Sequence, residues 1–243
     1  MTLPPVLFIH GMWADRAHWN RFRRHFENRG FDTHAVTLLF HEPPQDLESL
    51  HHVGLMDYVA QVQEVVQKFD QPPVIVGHSM GSLVAQKLAE IDPVRALVLL
   101  SPVAPRGIVP LTPSVAISTS ASILDAVFCR PFVIPARNAR FGILNTLSAR
   151  EQSVVYRSFK HESGRALWEI FRGMIAVDEL RITCPVLVAV GSMDRITPAV
   201  VARRIASKYG AEIRTYPGEC HYLSASRAVM TDVADWLQQQ VSG

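Results

Sequence analysis

Gly-His-Ser-Met-Gly, residues 77–81, joins an apolar run that ends at Val76 to a stretch of helical length that begins near Ser82. The Gly-x-Ser-x-Gly spacing in this context is typical of a strand that turns sharply at the serine and continues as a helix. Glycine on both sides leaves room for the strand and the helix to approach each other closely. The stretch therefore predicts that Ser79 is a nucleophile at the carboxyl end of a sheet, rather than a serine in a plain loop.

Outward from this stretch, short apolar runs alternate with segments of helical length, which is the pattern of parallel strands joined by crossover helices. The apolar runs are residues 5–9, 33–38, 74–76, 96–100, 186–190 and 213–216. The helical segments are residues 17–29, 55–69, 82–91, 199–208 and 224–240. Because the runs are mostly β-branched and apolar, they suit strands covered on both faces. We predict an α/β fold with a mostly parallel sheet of about six strands and helices on both faces.

Residues 103–181 interrupt the alternation, because no strand followed promptly by a crossover helix can be recognised there. A loop of that length without structure of its own is uncommon in a compact domain. The stretches 148–161 and 164–177 have helical patterns. We therefore predict a core formed by residues 1–102 and 182–243, with residues 103–181 as a mostly helical insertion.

A serine hydroxyl becomes a good nucleophile only when a base takes its proton, and that base is usually a histidine oriented by a carboxylate. Asp194 follows the fifth apolar run, and His221 follows the sixth. Because the carboxyl ends of parallel strands meet at one edge of a sheet, we expect both side chains to lie near Ser79. Asp178 is an alternative acid, but no strand immediately precedes it.

These motifs and their order resemble those of a single-domain α/β-hydrolase of the esterase or lipase type, over almost the whole chain outside the insertion. The resemblance is carried by His10-Gly11-Met12-Trp13, by GHSMG, by GSMDRITP at 191–198 and by Glu219-Cys220-His221-Tyr222. The chain order serine, acid, histidine is the one found in that family. The resemblance implies that the backbone N–H groups of Met12 and Met80 form an oxyanion hole and that residues 103–181 are a cap.

Three features depart from the pattern of that family. No segment precedes the His-Gly strand that could form the two antiparallel strands often found there, so we expect six strands where eight are common. Residues 38–46 read LLFHEPPQD, where many relatives have Asp-x-Arg-Gly-x-Gly, so substrate assignments are not carried over. Glu219-Cys220 stands where a Gly-His pair is common.

The other histidines near the motifs have structural explanations. His78 adjoins Ser79 along a strand, so its side chain should point to the opposite face and pack or hydrogen-bond there. His10 is expected to support the oxyanion turn rather than to take part in the chemistry. The nearest approach to a metal-binding cluster is His34, His41, His51 and His52. Because these residues lack a zinc-ligand spacing, we expect no metal and no cofactor.

The resemblance implies a carboxylesterase-like enzyme that cleaves a carboxylic ester, lactone or thioester through an acyl-serine intermediate. Residues 115–134 and 141–147 are apolar with few acids, which favours either a hydrophobic chamber for the substrate or a surface that only docks the cap on the core. The predicted pocket residues are Trp13, Phe40, Phe128 and Tyr222. The same triad could instead cleave a carbon–carbon bond, transfer an acyl group or form peracids. A non-catalytic ligand-binding relative is the alternative of another class.

The composition of the chain limits the kinds of partner and the location that we expect for the protein. The 24 basic and 22 acidic residues form no long block of one sign, so no nucleic-acid partner is expected. The three cysteines are widely spaced, which indicates neither a disulfide framework nor a zinc site. The apolar run near the N-terminus is too short for a signal peptide or a membrane span. We expect a cytoplasmic monomer or small homo-oligomer that acts on a small molecule with an acyl or carbonyl group.

Overall fold

The computed structural model describes residues 3–110 and 112–241. Its strands are β1 (Val6–Ile9), β2 (Thr33–Val36), β3 (Val74–His78), β4 (Ala96–Leu100), β5 (Val186–Gly191) and β6 (Glu212–Tyr216). They pair in the order β2-β1-β3-β4-β5-β6, and every pair is parallel. Strand β2 lies on one side of β1, and all later strands lie on the other side. The direction in which strands are added to the sheet therefore reverses between β1 and β3. Ligands of open α/β sheets bind at such a switch point.

Eleven α-helices of at least five residues lie in the described part of the chain. They are α1 (Asn20–Glu27), α2 (Leu47–His52), α3 (Leu55–Val66), α4 (Met80–Ile91), α5 (Pro113–Thr119), α6 (Ile123–Val127), α7 (Ala136–Gly142), α8 (Ala149–Arg157), α9 (Gly164–Phe171), α10 (Ala199–Tyr209) and α11 (Arg227–Val241). Helices α5 to α9 all lie between β4 and β5. None of the helices described is long and apolar enough to cross a lipid bilayer.

The sheet separates two apolar layers, because successive strand residues point to opposite faces. On one face, Leu7 and Ile75 pack with α3, α4 and α10. On the other, Phe8 and Val76 pack with α1 and α11. Since both faces are covered, the strands read as continuous apolar runs, and the predicted six-stranded α/β fold is confirmed.

Strand ends agree with the sequence-based expectation to within two residues, because turn chemistry near each end is local. Strand β2 is the shortest relative to its predicted range. It stops at Val36, and the N–H of Leu38 already donates to Nε2 of His10, 3.0 Å away, instead of to a neighbouring strand. The short helices α2, α5, α6 and α7 were not predicted. Their five to seven residues hold too few turns for a clear periodicity.

Candidate active site

Ser79 occupies a strained turn between β3 and α4. Its backbone has φ +53° and ψ −123°, a combination that non-glycine residues rarely adopt. Its N–H donates to the carbonyl oxygen of Leu100 at 3.0 Å, which ties the turn to the end of β4. The side chain is buried, with 7% of the residue exposed. Strain of this kind persists only where the surrounding structure maintains it, and it is frequent at functional sites.

Two glycines allow that turn to form. A Cβ atom on Gly77 would lie 2.5 Å from the carbonyl oxygen of Gly81. A Cβ atom on Gly81 would lie 2.3 Å from the carbonyl oxygen of His10, directly after neighbouring β1. Both contacts are with backbone, which cannot move aside cheaply. The glycines are therefore required by the close approach of α4 to β1 and β3.

Asp194 and His221 meet at the carboxyl ends of β5 and β6. The Nδ1–H of His221 donates to Oδ2 of Asp194 at 2.9 Å, and both side chains are buried. The other Asp194 oxygen accepts the N–H groups of Ile196 and Thr197 at 2.9 and 2.8 Å, and the Thr197 hydroxyl donates to Oδ2 at 2.9 Å. Burial acts to raise the pKa of Asp194, but His221 and these donors outweigh it and hold that pKa below its usual value. The carboxylate stays ionised.

His78 and His18 stack beside His221. The Nε2–H of His78 donates to the backbone carbonyl oxygen of His221 at 2.9 Å, which fixes the loop that carries the histidine. The ring centroids of His78 and His221 are 4.9 Å apart, and those of His18 and His78 are 5.0 Å apart. Burial lowers the pKa of His78 to about 3 and that of His18 well below its usual value. Both rings are therefore neutral.

His10 holds the turn after β1 against the Ser79 turn. Its Nδ1–H donates to the carbonyl oxygen of Gly11 at 2.8 Å, and its Nε2 accepts the N–H of Leu38. Burial lowers the pKa of His10 to about 4, so Nε2 remains an acceptor. A Cβ atom on Gly11 would lie 2.8 Å from Cβ of Ser79, so this position has no room for a side chain. Met12, the next residue, lines the same cavity as Ser79.

A cavity of about 30 Å³ lies between these groups. Of the residues predicted for the site, it is lined by Met12, Trp13, Ser79, His221 and Tyr222. Met80 follows Ser79 as the buried first residue of α4 and is not among the residues that line the cavity. A volume of this size holds about one water molecule, so the site is closed in this structure.

Four further residues line the cavity without having been predicted for it: His18, His78, Ile143 and Phe159. Ile143 and Phe159 belong to the helical segment between β4 and β5, which therefore covers this side of the cavity. No local pattern marks Ile143 and Phe159, because both lie far from Ser79 in sequence. His78 was expected to pack on the opposite face from Ser79, yet it lines the cavity while its Nε2 bonds to His221.

Phe40 and Phe128 lie outside this cavity. Phe128 is 60% exposed at the end of α6, whose inner side carries the small residue Ala126 instead. Phe40 is 36% exposed at a left-handed backbone position with φ +61°. The alternative acid Asp178 accepts the N–H of Leu180 at 3.1 Å and caps a short 3-10 helix on the surface. Neither phenylalanine is brought to the triad.

A larger open groove of about 580 Å³ follows the edge strand β2. Its polar side chains are already paired: Arg23 with the carbonyl oxygen of Thr33 at 3.2 Å, and Arg16 with Glu42 at 3.4 Å. The groove contains no residue of the predicted triad. Because strained backbone, ionised carboxylate and neutral histidines converge on the small cavity, that cavity is the candidate active site despite its size.

Comparisons with known proteins agree with this fold. The family model described as alpha/beta hydrolase family matches residues 6–232. No curated protein matches the chain in sequence. Among solved structures, a monoacylglycerol lipase from Paleococcus ferrophilus is 20% identical, with a TM-score of 0.72 over 98% of this chain and 96% of that one. A methylesterase from Arabidopsis is 14% identical, with a TM-score of 0.73 over 99% of both chains.

A polyneuridine aldehyde esterase is 16% identical, with a TM-score of 0.72 over 97% of this chain and 98% of that one. At these identities the structural neighbours show the fold alone. The family model spans nearly the whole chain, the sheet has the expected order, and the serine turn lies at its switch point. The chain is therefore a member of the alpha/beta hydrolase family.

Proposed function

We propose that this protein is a serine hydrolase that cleaves a carboxylic ester, lactone or thioester with a hydrophobic portion through an acyl-serine intermediate. The observation that carries the proposal is the cavity in which the strained Ser79 meets His221, itself hydrogen-bonded to the ionised Asp194. The neighbours named esterase and lipase support the choice of an ester-type bond.

In the first step, Oγ of Ser79 attacks the substrate carbonyl carbon. Because Nδ1–H of His221 is held by Asp194, Nε2 is the basic nitrogen and takes the proton from the hydroxyl. Asp194 remains ionised and stabilises the imidazolium that forms. Proton transfer from Nε2 to the leaving oxygen or sulfur then releases the alcohol or thiol and leaves the acyl-serine.

The oxyanion of the tetrahedral intermediate is stabilised by the N–H groups of Met12 and Met80. Met80 begins α4, so the partial positive charge at the N-terminus of that helix adds to the stabilisation. His10 contributes by holding the turn that contains Met12. Water, activated by His221 in the same way as the serine was, attacks the acyl-serine and regenerates the enzyme.

A substrate larger than one water molecule requires the insertion to move, because the cavity of about 30 Å³ is too small for an acyl group. Ile143 and Phe159 are the insertion residues that would have to withdraw. The apolar side chains Trp13, Ile143 and Phe159 around Ser79 favour a substrate with a hydrophobic portion over a charged sugar or peptide. In this interpretation residues 103–181 act as a cap.

The test is labelling with a fluorophosphonate probe, followed by identification of the modified peptide. We expect the wild type to be modified at Ser79, and Ser79→Ala and His221→Ala to lose labelling and about six orders of magnitude in turnover of a p-nitrophenyl ester. Ser122→Ala is the matched control, since Ser122 is a buried serine with no hydrogen-bond partner among the described residues and lies outside the cavity. Unchanged turnover in Ser79→Ala would overturn the proposal.

The reaction class needs a second panel that pairs each ester with a β-diketone of matched size. Preference for the diketone would assign carbon–carbon bond cleavage to the same triad. A saturable thermal shift by the ester without turnover or probe labelling would instead indicate a ligand-binding protein.

A further inference from the structure

Helices α5 and α6 carry large apolar side chains on their solvent side. Val109, just before α5, and Ile117, Ile123, Leu124, Val127 and Phe128 are each between 44% and 66% exposed. We call these six residues the outer apolar face. Six of the fifteen large hydrophobic residues that are exposed in the described chain thus lie within twenty consecutive positions. Single exposed apolar residues are ordinary, but a cluster of this kind marks a contact surface.

The buried side of the same helices carries smaller groups. Val115, Ser118, Ser122 and Ala126 face the rest of the protein and are at most 8% exposed. An ordinary amphipathic helix has the reverse arrangement, with its largest apolar side chains against the core. The docking of α5 and α6 on the protein therefore does not account for the outer apolar face, which is available to something outside the chain.

The charged residues of the segment that carries this face are almost all positive. Residues 103–147 contain four arginines, at positions 106, 130, 137 and 140, and a single acid, Asp125. The guanidinium of Arg130 lies 5.1 Å above the ring of Phe128, so charge and apolar surface are adjacent. Arg130 also lies 3.9 Å from Asp125, while Arg137 and Arg140 are exposed on α7. An apolar strip with an arginine rim is complementary to anionic headgroups above an acyl layer.

The helices that carry the face are also connected to the cavity. The side-chain amide of Asn138, on α7, donates to the carbonyl oxygens of Ile117 and Ser118 at 3.0 and 3.3 Å. Helix α7 leads into Ile143, which lines the cavity beside Ser79. Helix α5 is thus linked, through α7, to a residue that lines the cavity.

We propose that the outer apolar face is a docking site for an anionic lipid surface. Leu124 and Phe128 enter the boundary between headgroups and acyl chains, and the arginines contact the anionic headgroups. Because docking does not require catalysis, this proposal can be correct or wrong independently of the proposed function.

The test is co-sedimentation of the full chain with vesicles of phosphatidylcholine alone and of phosphatidylcholine mixed with phosphatidylglycerol. We expect binding to the mixed vesicles, little binding to phosphatidylcholine alone, and weaker binding as salt is raised. Leu124→Glu combined with Phe128→Glu should lower the partition coefficient at least about tenfold. Substitution of Arg137 and Arg140 by Gln should lower it only for the mixed vesicles.

Leu180→Glu is the matched control, because Leu180 is 85% exposed on a 3-10 helix (Glu179–Arg181) outside the face. This variant should bind vesicles as the wild type does. The substituted side chains are exposed, and circular dichroism together with thermal unfolding checks that each variant is folded. Absence of binding to mixed vesicles, or equal binding by the Leu124→Glu, Phe128→Glu variant, overturns the proposal. A concentration-dependent dimer that this variant abolishes, without vesicle binding, overturns it in favour of a second copy of the chain.

Discussion

At the scale of single residues, Asp194 shows how one side chain is adapted to a single role. Its carboxylate accepts hydrogen bonds from two backbone N–H groups, the Thr197 hydroxyl and Nδ1–H of His221. All four partners are donors, so only an ionised carboxylate satisfies them. The arrangement fixes both the tautomer of His221 and the orientation of its ring.

Asp194→Asn should therefore lower kcat by about four orders of magnitude, because the amide presents a donor to one of these groups and favours the wrong tautomer of His221. The measurement is steady-state hydrolysis of a p-nitrophenyl ester. Asp178→Asn is the control, since Asp178 is exposed and only caps a short helix, and it should retain wild-type kcat. Loss of activity in Asp178→Asn with activity retained in Asp194→Asn would reassign the acid.

At the scale of elements, a buried ionic cluster joins the insertion to the core. Glu162 is fully buried; its Oε2 accepts Nε2–H of His41 at 3.1 Å, and its Oε1 accepts the hydroxyl of Tyr58 and the N–H of Ser163, each at 2.7 Å. The Nδ1–H of His41 donates to the carbonyl oxygen of Leu39 at 2.9 Å. Burial alone would lower the pKa of His41, but Glu162 outweighs it and raises that pKa. Each partner therefore favours the charged form of the other.

Glu162→Gln should lower the free energy of unfolding by about 3 kcal/mol or more, because it leaves His41 buried without its counter-ion. Urea denaturation at pH 7 measures this loss. Glu48→Gln, a substitution of an exposed carboxylate on α2, should change the same quantity by less than about 0.5 kcal/mol. Equal stability of the two variants would mean that this cluster does not hold the insertion to the core.

At the scale of the whole molecule, buried neutral histidines make stability depend on pH. The pKa values of His10 and His78 are lowered to about 4 and about 3, and that of His18 also lies well below its usual value. Below pH 6.5 the unfolded chain binds protons at these positions and the folded chain does not, so stability falls as pH falls. His41 acts in the opposite sense: because its pKa is raised, its contribution to stability is fully present below pH 6.5 and is lost as pH rises through the folded pKa.

His10 and His78 should each cost about 2 kcal/mol of stability between pH 7 and pH 5, or roughly 4 kcal/mol together, which is a large part of the stability of an ordinary domain, and His18 should add to this loss. His18→Phe keeps the aromatic packing against Trp19 and Tyr222 and should lower the slope of unfolding free energy against pH in this window. Urea denaturation at several pH values measures both slopes. An unchanged slope in His18→Phe would show that this ring titrates in the folded protein.

The sequence by itself determined the six-stranded α/β fold, the position of its strands and the serine turn, because apolar periodicity and turn chemistry are local properties. The motif itself indicates why Gly77 and Gly81 flank Ser79, since a strand and a helix must approach closely at this turn. Asp194 and His221 were predicted because each follows a predicted strand. Membership of the alpha/beta hydrolase family was recognisable on the same residues.

Only the tertiary structure decided which side chains surround Ser79. Ile143 and Phe159 close the cavity while Phe128 faces solvent, although all three lie between β4 and β5. His41 and Glu162 pair across 121 positions, and neither has a local pattern that predicts a buried charge. The physical reason lies in packing between segments that are far apart in the chain. This packing determines which side of a short helix is buried and which group pairs with a buried charge.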